Sequence, residues 1–226
     1  MNDLGLNLLA LNLTGNTNVV LDSTANAITP DNALIENGTV GDPLKVTSEV
    51  YRKKLIRYIR GWKNGVEADG VRKHMGDMLH SEPVIITYKE ADVDGNNKEQ
   101  YIFAGTNEGY LHAFDAETGE EKFAFMPKKL LKNIERQQNA DDDRRHVYGI
   151  DGKISYIKNG SNIYLYFGLR RGGRAYYAMD VTDITKPKLM WKVDGADGGD
   201  FARLGQTWSA HRILQIYYMM AKRKQP

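Results

Sequence analysis

The chain is 226 residues long, 41% hydrophobic and 27% charged, which suits one or two soluble domains. A formal net charge of +2 gives no global electrostatic case for binding nucleic acid or an anionic membrane. With no Cys, disulfide frameworks, thiolate chemistry and Cys-based zinc sites are excluded. No stretch approaches the roughly 20 apolar residues of a transmembrane helix.

Residues 1–47 read as an extended strand and linker segment. Leu4, Leu6 and Leu8, then Leu9, Leu11 and Leu13, alternate with other residues, which suits one or two β-strands, and a linker of small and polar residues follows. No Lys or Arg precedes Lys45, so composition shifts near Pro43. The first residues carry no positive stretch and no cleavage pattern, and no signal peptide is expected in this chain. That leaves an intracellular protein or an internal piece of a longer precursor.

Residues 48–75 form a helix and a loop leading in. Ser48 can cap the helix, Glu49 suits its dipole, and Gly61 is a natural stop. Tyr51, Leu55, Tyr58, Ile59 and Trp62 share one face, which leaves Arg52, Lys53, Arg57 and Arg60 on an opposite, solvated face.

Residues 76–209 carry the main pattern. Pro83–Tyr88, Tyr101–Ala104, Tyr110–Phe114 and Lys122–Phe125 are short apolar runs separated by turn-rich clusters. Four such runs make one antiparallel meander, the unit of a β-propeller blade. A second set follows at Lys153–Ile157, Ile163–Phe167, Arg174–Met179 and Leu189–Val193, after a short helical insertion at Lys128–Gln138. The third strands align as text, HAFDAETG (His112–Gly119) against YAMDVTDI (Tyr177–Ile184). The predicted fold is therefore mainly β, a partial, quinoprotein-like β-propeller of two four-stranded blades. Ser209-Ala210 begins as if to open a third blade. The tail from residue 210 to 226 instead reads HRILQIYYMMAKRKQP from His211 and breaks the pattern.

Chemistry-bearing residues are few. Asp77, His80 and Ser81 lie within five residues, but a triad is assembled from distant segments, so turn and strand-cap hydrogen bonding is the expectation. His74, His80, His112, His146 and His211 form no metal-binding spacing. Asp92, Asp94 and Asn96 occupy positions one, three and five of a calcium-type loop, Gly95 permits its turn and Lys98 could lend a carbonyl. Position nine is Gln100 and position twelve is Phe103, so any calcium site here is weak. Arg170, Arg171 and Arg174 with Gly172 and Gly173 could hold a phosphate or carboxylate through glycine amides and guanidinium forks, against a plain hairpin with solvated arginines. With no GK[ST] and no following helix, a P-loop is excluded.

The ordered series YIRG (Tyr58–Gly61), GDMLHSEP (Gly76–Pro83), AGTNEGYLHAFDAETGEE (Ala104–Glu121) and GGRAYYAMDVTD (Gly172–Asp183) resembles the PilC/PilY family of type IV pilus tip-associated adhesins and biogenesis factors. The resemblance runs in order from about Tyr51 to Ser209. It implies a non-enzymatic propeller module of a large exported protein at the pilus tip, outer membrane or cell surface. The implied roles are pilus assembly, restraint of retraction and surface attachment. The implied partners are pilus subunits, minor pilins and a host or abiotic surface. Calcium control is also implied, with Asp92–Gln100 as the loop that could carry it. The family's propeller has more blades than the two readable here, so the chain is expected to be a truncated or frame-disrupted piece. The alternatives are a fragment of a pyrroloquinoline-quinone dehydrogenase, whose blades share the Gly-Asp-Gly-type turn, and a cytoplasmic scaffold propeller.

Overall fold

A computed structural model describes residues 6–9, 19–20, 49–72, 74–138, 146–195 and 199–209. Most of the predicted strand and linker segment, Ser48, His211 and the rest of the 210–226 tail lie outside the described residues. Among the described residues, ten strands and two α-helices run in the order β1 (Leu6–Leu9), β2 (Val19–Val20), α1 (Glu49–Ile59), β3 (Val84–Lys89), β4 (Glu99–Gly105), β5 (Leu111–Asp115), β6 (Glu121–Pro127), α2 (Ile134–Gln138), β7 (Ile154–Asn159), β8 (Asn162–Gly168), β9 (Ala175–Asp180) and β10 (Lys188–Asp194). All eight strands predicted between Pro83 and Val193 are present, each within a few residues of its expected bounds. The helical insertion is a 3-10 turn, Lys128–Asn133, continuing into α2.

Each set of four strands forms an antiparallel meander, β3-β4-β5-β6 and β7-β8-β9-β10. The N-terminal strands extend both. β1 lies parallel to β6, with Leu6 opposite Ala124, and β2 lies antiparallel to β10, with Val19 opposite Leu189. The textual repeat is a structural one. Asp115 ends β5 and accepts the backbone N–H groups of Glu117 and Thr118, both at 3.0 Å, while Asp180 ends β9 and accepts that of Thr182 at 3.0 Å. Backbone and hydroxyl bonds from Thr118 hold the Asp115 carboxyl below its usual range.

Registry decides which residues meet. Val84, Phe103, Ala113 and Phe123 stand in one cross-strand row of the first sheet, and Ile154, Phe167 and Tyr177 in one row of the second. Phe125 bridges them, its ring 6.3 Å from both Phe167 and Tyr177, which themselves stack at 5.3 Å. All but the partly buried Val84 belong to one continuous buried core that also takes in Leu55, Ile56 and Ile59 of α1. Full burial of such side chains contributes about 1.5–3 kcal/mol each. Polar bonds at the margin join the same sheets: the Tyr88 hydroxyl donates to the Val181 carbonyl at 2.5 Å, and Lys158 to that of Thr87 at 2.6 Å. Burial pushes the Tyr88 phenol well above its ordinary range, so it remains a donor at any physiological pH.

Helix α1 corrects one expectation. Arg52, assigned to the solvated basic face, is buried together with Leu55, Ile56 and Ile59. It lies three and four residues before Leu55 and Ile56, on the same side of the helix, and is carried under with them. Tyr51 and Tyr58 lie partly buried against the core. The helix is pinned by the Tyr110 hydroxyl, which donates to the Ile59 carbonyl at 2.8 Å, and by the Tyr58 hydroxyl, which donates to that of Gln137.

Residues 149–152, Gly-Ile-Asp-Gly, run between the two sheets in contact with backbone on both sides. A Cβ on Gly149 would come within 2.5 Å of the Gly109 nitrogen, and one on Gly172 would overlap the Gly149 carbonyl. Gly172→Ala is therefore expected to cost about 3 kcal/mol or more, because backbone rather than a flexible side chain blocks it. At Gly119, where φ is +72° and the space is open, the same change should cost about 1–2 kcal/mol from the left-handed backbone alone. Urea melts of the two variants check the ordering.

Candidate functional site

The β3–β4 connection is a tight self-bonded turn. The Asp92 N–H donates to the Asn96 carbonyl at 2.8 Å and Gly95 N–H to the Asp92 carbonyl at 3.0 Å. Gly95 sits at φ +81° and Asn97 at +58°, the left-handed conformations that glycine and asparagine adopt with least strain. One oxygen of the Asp92 carboxylate accepts the N–H groups of Asp94 (3.1 Å) and Asn96 (2.7 Å), and the other accepts the Asn97 side-chain amide at 2.8 Å. The Asn97 amide, then the Asn96 N–H, hold the Asp92 carboxyl below its usual range.

Asp92, Asp94 and Asn96 thus share one turn, whereas Gln100 lies in β4, its amide donating to the Thr87 hydroxyl at 2.8 Å. Lys98, Gln100 and Asn96 line an open cleft of about 380 Å³ whose opposite wall is Asp115–Glu117, the turn that ends β5. Among the described residues, no group of three or more His, Asp or Glu side chains comes together as a metal cluster.

Asp77, His80 and Ser81 go three separate ways. Asp77 accepts the Asn107 amide at 2.6 Å and lies 3.5 Å from His146. Ser81 donates its hydroxyl to the Gly105 carbonyl, so it holds the strand entry. His80 places Nδ1 2.7 Å from Oδ1 of Asp151, whose side chain is fully buried, and Arg170 approaches the other oxygen at 3.6 Å. A buried carboxylate needs such partners, because desolvation penalises the charge unless it is paired. In the sequence Asp151 is marked only by its place in Gly149-Ile150-Asp151-Gly152, just before a predicted strand. His112 Nδ1 lies 2.6 Å from Glu121, within the first sheet.

The Arg170–Arg174 turn is not a phosphate cradle. The Gly172 N–H donates to the Leu169 carbonyl at 2.8 Å and Gly173 N–H to that of Arg170 at 3.4 Å, so both amides are spent inside the turn. Arg170 has φ +50°, rare for a residue with a side chain. Its guanidinium lies 4.7 Å from the centre of the Trp208 ring. Arg171 lies over Tyr148 at 5.2 Å and Trp208 at 5.7 Å.

No protein-family profile matches the chain. It is 32% identical over 163 residues to a "Type IV pilus biogenesis factor PilY1 homolog" of Xylella fastidiosa, covering 62% of this chain and 13% of that protein. It is 25% identical over 187 residues to "Type IV pilus biogenesis factor PilY1" of Pseudomonas aeruginosa strain UCBPP-PA14, covering 72% of this chain and 16% of that one. The crystal structure of the Pseudomonas aeruginosa PilY1 C-terminal domain is similar over 50% of this chain and 22% of its own, at 27% identity and a TM-score of 0.34. The chain therefore spans about one-seventh of the length of the curated relatives it matches. Over that stretch the chain is similar in sequence to proteins that are named PilY1 type IV pilus biogenesis factors.

Proposed function

We propose that the chain is a non-enzymatic propeller segment of a type IV pilus biogenesis factor, acting at the pilus tip or cell surface in assembly, retraction control and attachment. The observation that carries this reading is its 32% identity over 163 residues to a PilY1 homolog. Two features support a structural rather than a catalytic role. His80, the histidine nearest a hydroxyl in sequence, pairs with a buried carboxylate, and the Ser81 hydroxyl is donated to a backbone carbonyl. No helix among the described residues is long and apolar enough to cross a membrane. Pilus subunits, minor pilins and a host or abiotic surface are the partners this reading assigns.

Removing codons 76–209 in frame from the native gene should abolish surface pilin in sheared fractions while intracellular pilin persists. If pili return when the retraction motor is also deleted, the segment restrains retraction; if they do not, it acts in assembly. Unchanged pili and unchanged surface motility in the first strain would overturn the reading. The quinone-dehydrogenase alternative predicts dye reduction when pyrroloquinoline quinone and calcium are added to the purified chain, and none is expected.

Calcium binding at the β3–β4 turn is part of the same proposal. Asp92, Asp94 and Asn96 would supply oxygens, with the Lys98 carbonyl beside them and Gln100 at the turn's end. Three of the roughly four acceptor positions on the Asp92 carboxylate are already used within the turn. Affinity should therefore be low, with a dissociation constant on the order of 10⁻⁴ M or weaker. Calorimetric titration of the chain should show one such site, lost in Asp94→Ala. No heat at millimolar calcium would remove calcium from the proposal.

A further inference from the structure

Trp208 is 52% exposed and stands beside the turn that follows β8. Two arginines stack on it. Arg170 is already neutralised from below by Asp151, at 3.6 Å, whereas Arg171 is exposed and has no carboxylate partner among the described residues. Its one hydrogen bond there goes to the Tyr148 hydroxyl, at 2.9 Å from Nη1. A guanidinium carries five N–H donors, so most of those on Arg171 remain open.

The turn beneath them is rigid. Thr207 Oγ accepts the backbone N–H groups of Leu169 (2.9 Å) and Arg170 (3.1 Å), and donates to the Ala175 carbonyl at 3.1 Å. Arg170 and Thr207 also form an antiparallel bridge, which places Trp208 next in chain beside the arginines. Gly172 cannot move toward Gly149 because their backbones are in contact. The positive φ of Arg170 is thus held by its surroundings, and strain maintained in this way is characteristic of sites that present a side chain in a fixed pose.

We propose that Arg171, Tyr148 and Trp208 form a preorganised docking point for a carboxylate carried next to a planar or apolar group on a peptide. The open edge of the Arg171 guanidinium would take the carboxylate through paired N–H···O bonds, and the exposed Trp208 ring would take the adjacent group. A carboxylate fits better than a phosphate. A dianion would want a second unpaired cation or free backbone donors, yet Arg170 is matched by Asp151 and both glycine amides are spent. This inference does not depend on the pilus assignment.

Three dipeptide probes distinguish the sources of the carboxylate. N-acetyl-Phe-Asp-amide carries it on a side chain, N-acetyl-Phe-Asn with a free terminus carries it on the main chain, and N-acetyl-Phe-Asn-amide carries none. Each is titrated into the full chain while the Arg171 Nε–H and Trp208 indole N–H resonances are followed by NMR. One or both acidic probes should shift both resonances with a dissociation constant on the order of 1 mM. Side-chain binding alone assigns an internal acidic residue, and main-chain binding alone a peptide C-terminus. Arg171→Lys should weaken binding about tenfold by removing the planar fork, with an unchanged melting curve. Trp208→Leu should weaken the acidic probes without making the neutral probe bind. Equal binding of the neutral probe, tighter binding of inorganic phosphate, or no shift at all would overturn the proposal.

Discussion

The structure depends on one close approach of backbones, where residues 149–152 pass between the two four-stranded sheets. Gly149 lies against Gly109 and Thr106 of the first sheet's turn on one side and Gly172 on the other, while Gly152 lies against Gly168. No side chain fits at these points, so the sheets reach a separation at which Phe125, Phe167 and Tyr177 meet. The segment is also stitched in by hydrogen bonds: Gly149 N–H donates to the Asn107 side chain and Ile150 N–H to the Thr106 carbonyl. Thr106 and Asn107 are themselves buried polar residues, and these bonds satisfy groups that would otherwise carry a desolvation cost.

Asp151 follows from the same constraint. It is carried into the junction between two glycines that must be there, and its charge is met by His80 from the entry to the first sheet and Arg170 from the second. Three segments far apart in sequence are thereby tied to one buried carboxylate. Arg170 passes the order outward: fixed by Asp151 below and Thr207 alongside, it stacks on Trp208 and leaves Arg171 facing solvent. The exposed aromatic and cationic surface is thus continuous with the fully buried Asp151 carboxylate.

The two ends of each blade behave differently. On the side of the β3–β4 turn, Asp92, Asp94 and Asn96 are organised by local bonds within five residues, and Asp115 repeats the device across the cleft. On the side of residues 149–152, order comes from contacts spanning 30 to 70 residues. Local turns of the first kind survive in any fold that presents two flanking strands. The second kind exists only when both blades are assembled.

That division is also the limit of what the sequence could determine. Strand periodicity, the glycine- and aspartate-rich turns and the repeat of HAFDAETG in YAMDVTDI are local signals, and they sufficed for two four-stranded meanders, the helix before them and the insertion between them. The Asp92 turn was legible for the same reason, since its donors and acceptor lie within six residues of one another. Arg52 was not, because a basic residue at the margin of an amphipathic helix is buried or solvated according to what packs there. Nor was the pairing of His80 with Asp151, 71 residues apart, or the meeting of Arg170 and Arg171 with Trp208. Those contacts arise from the distance between two sheets, which is set by glycine backbones touching across the junction, and no periodicity along one strand encodes it.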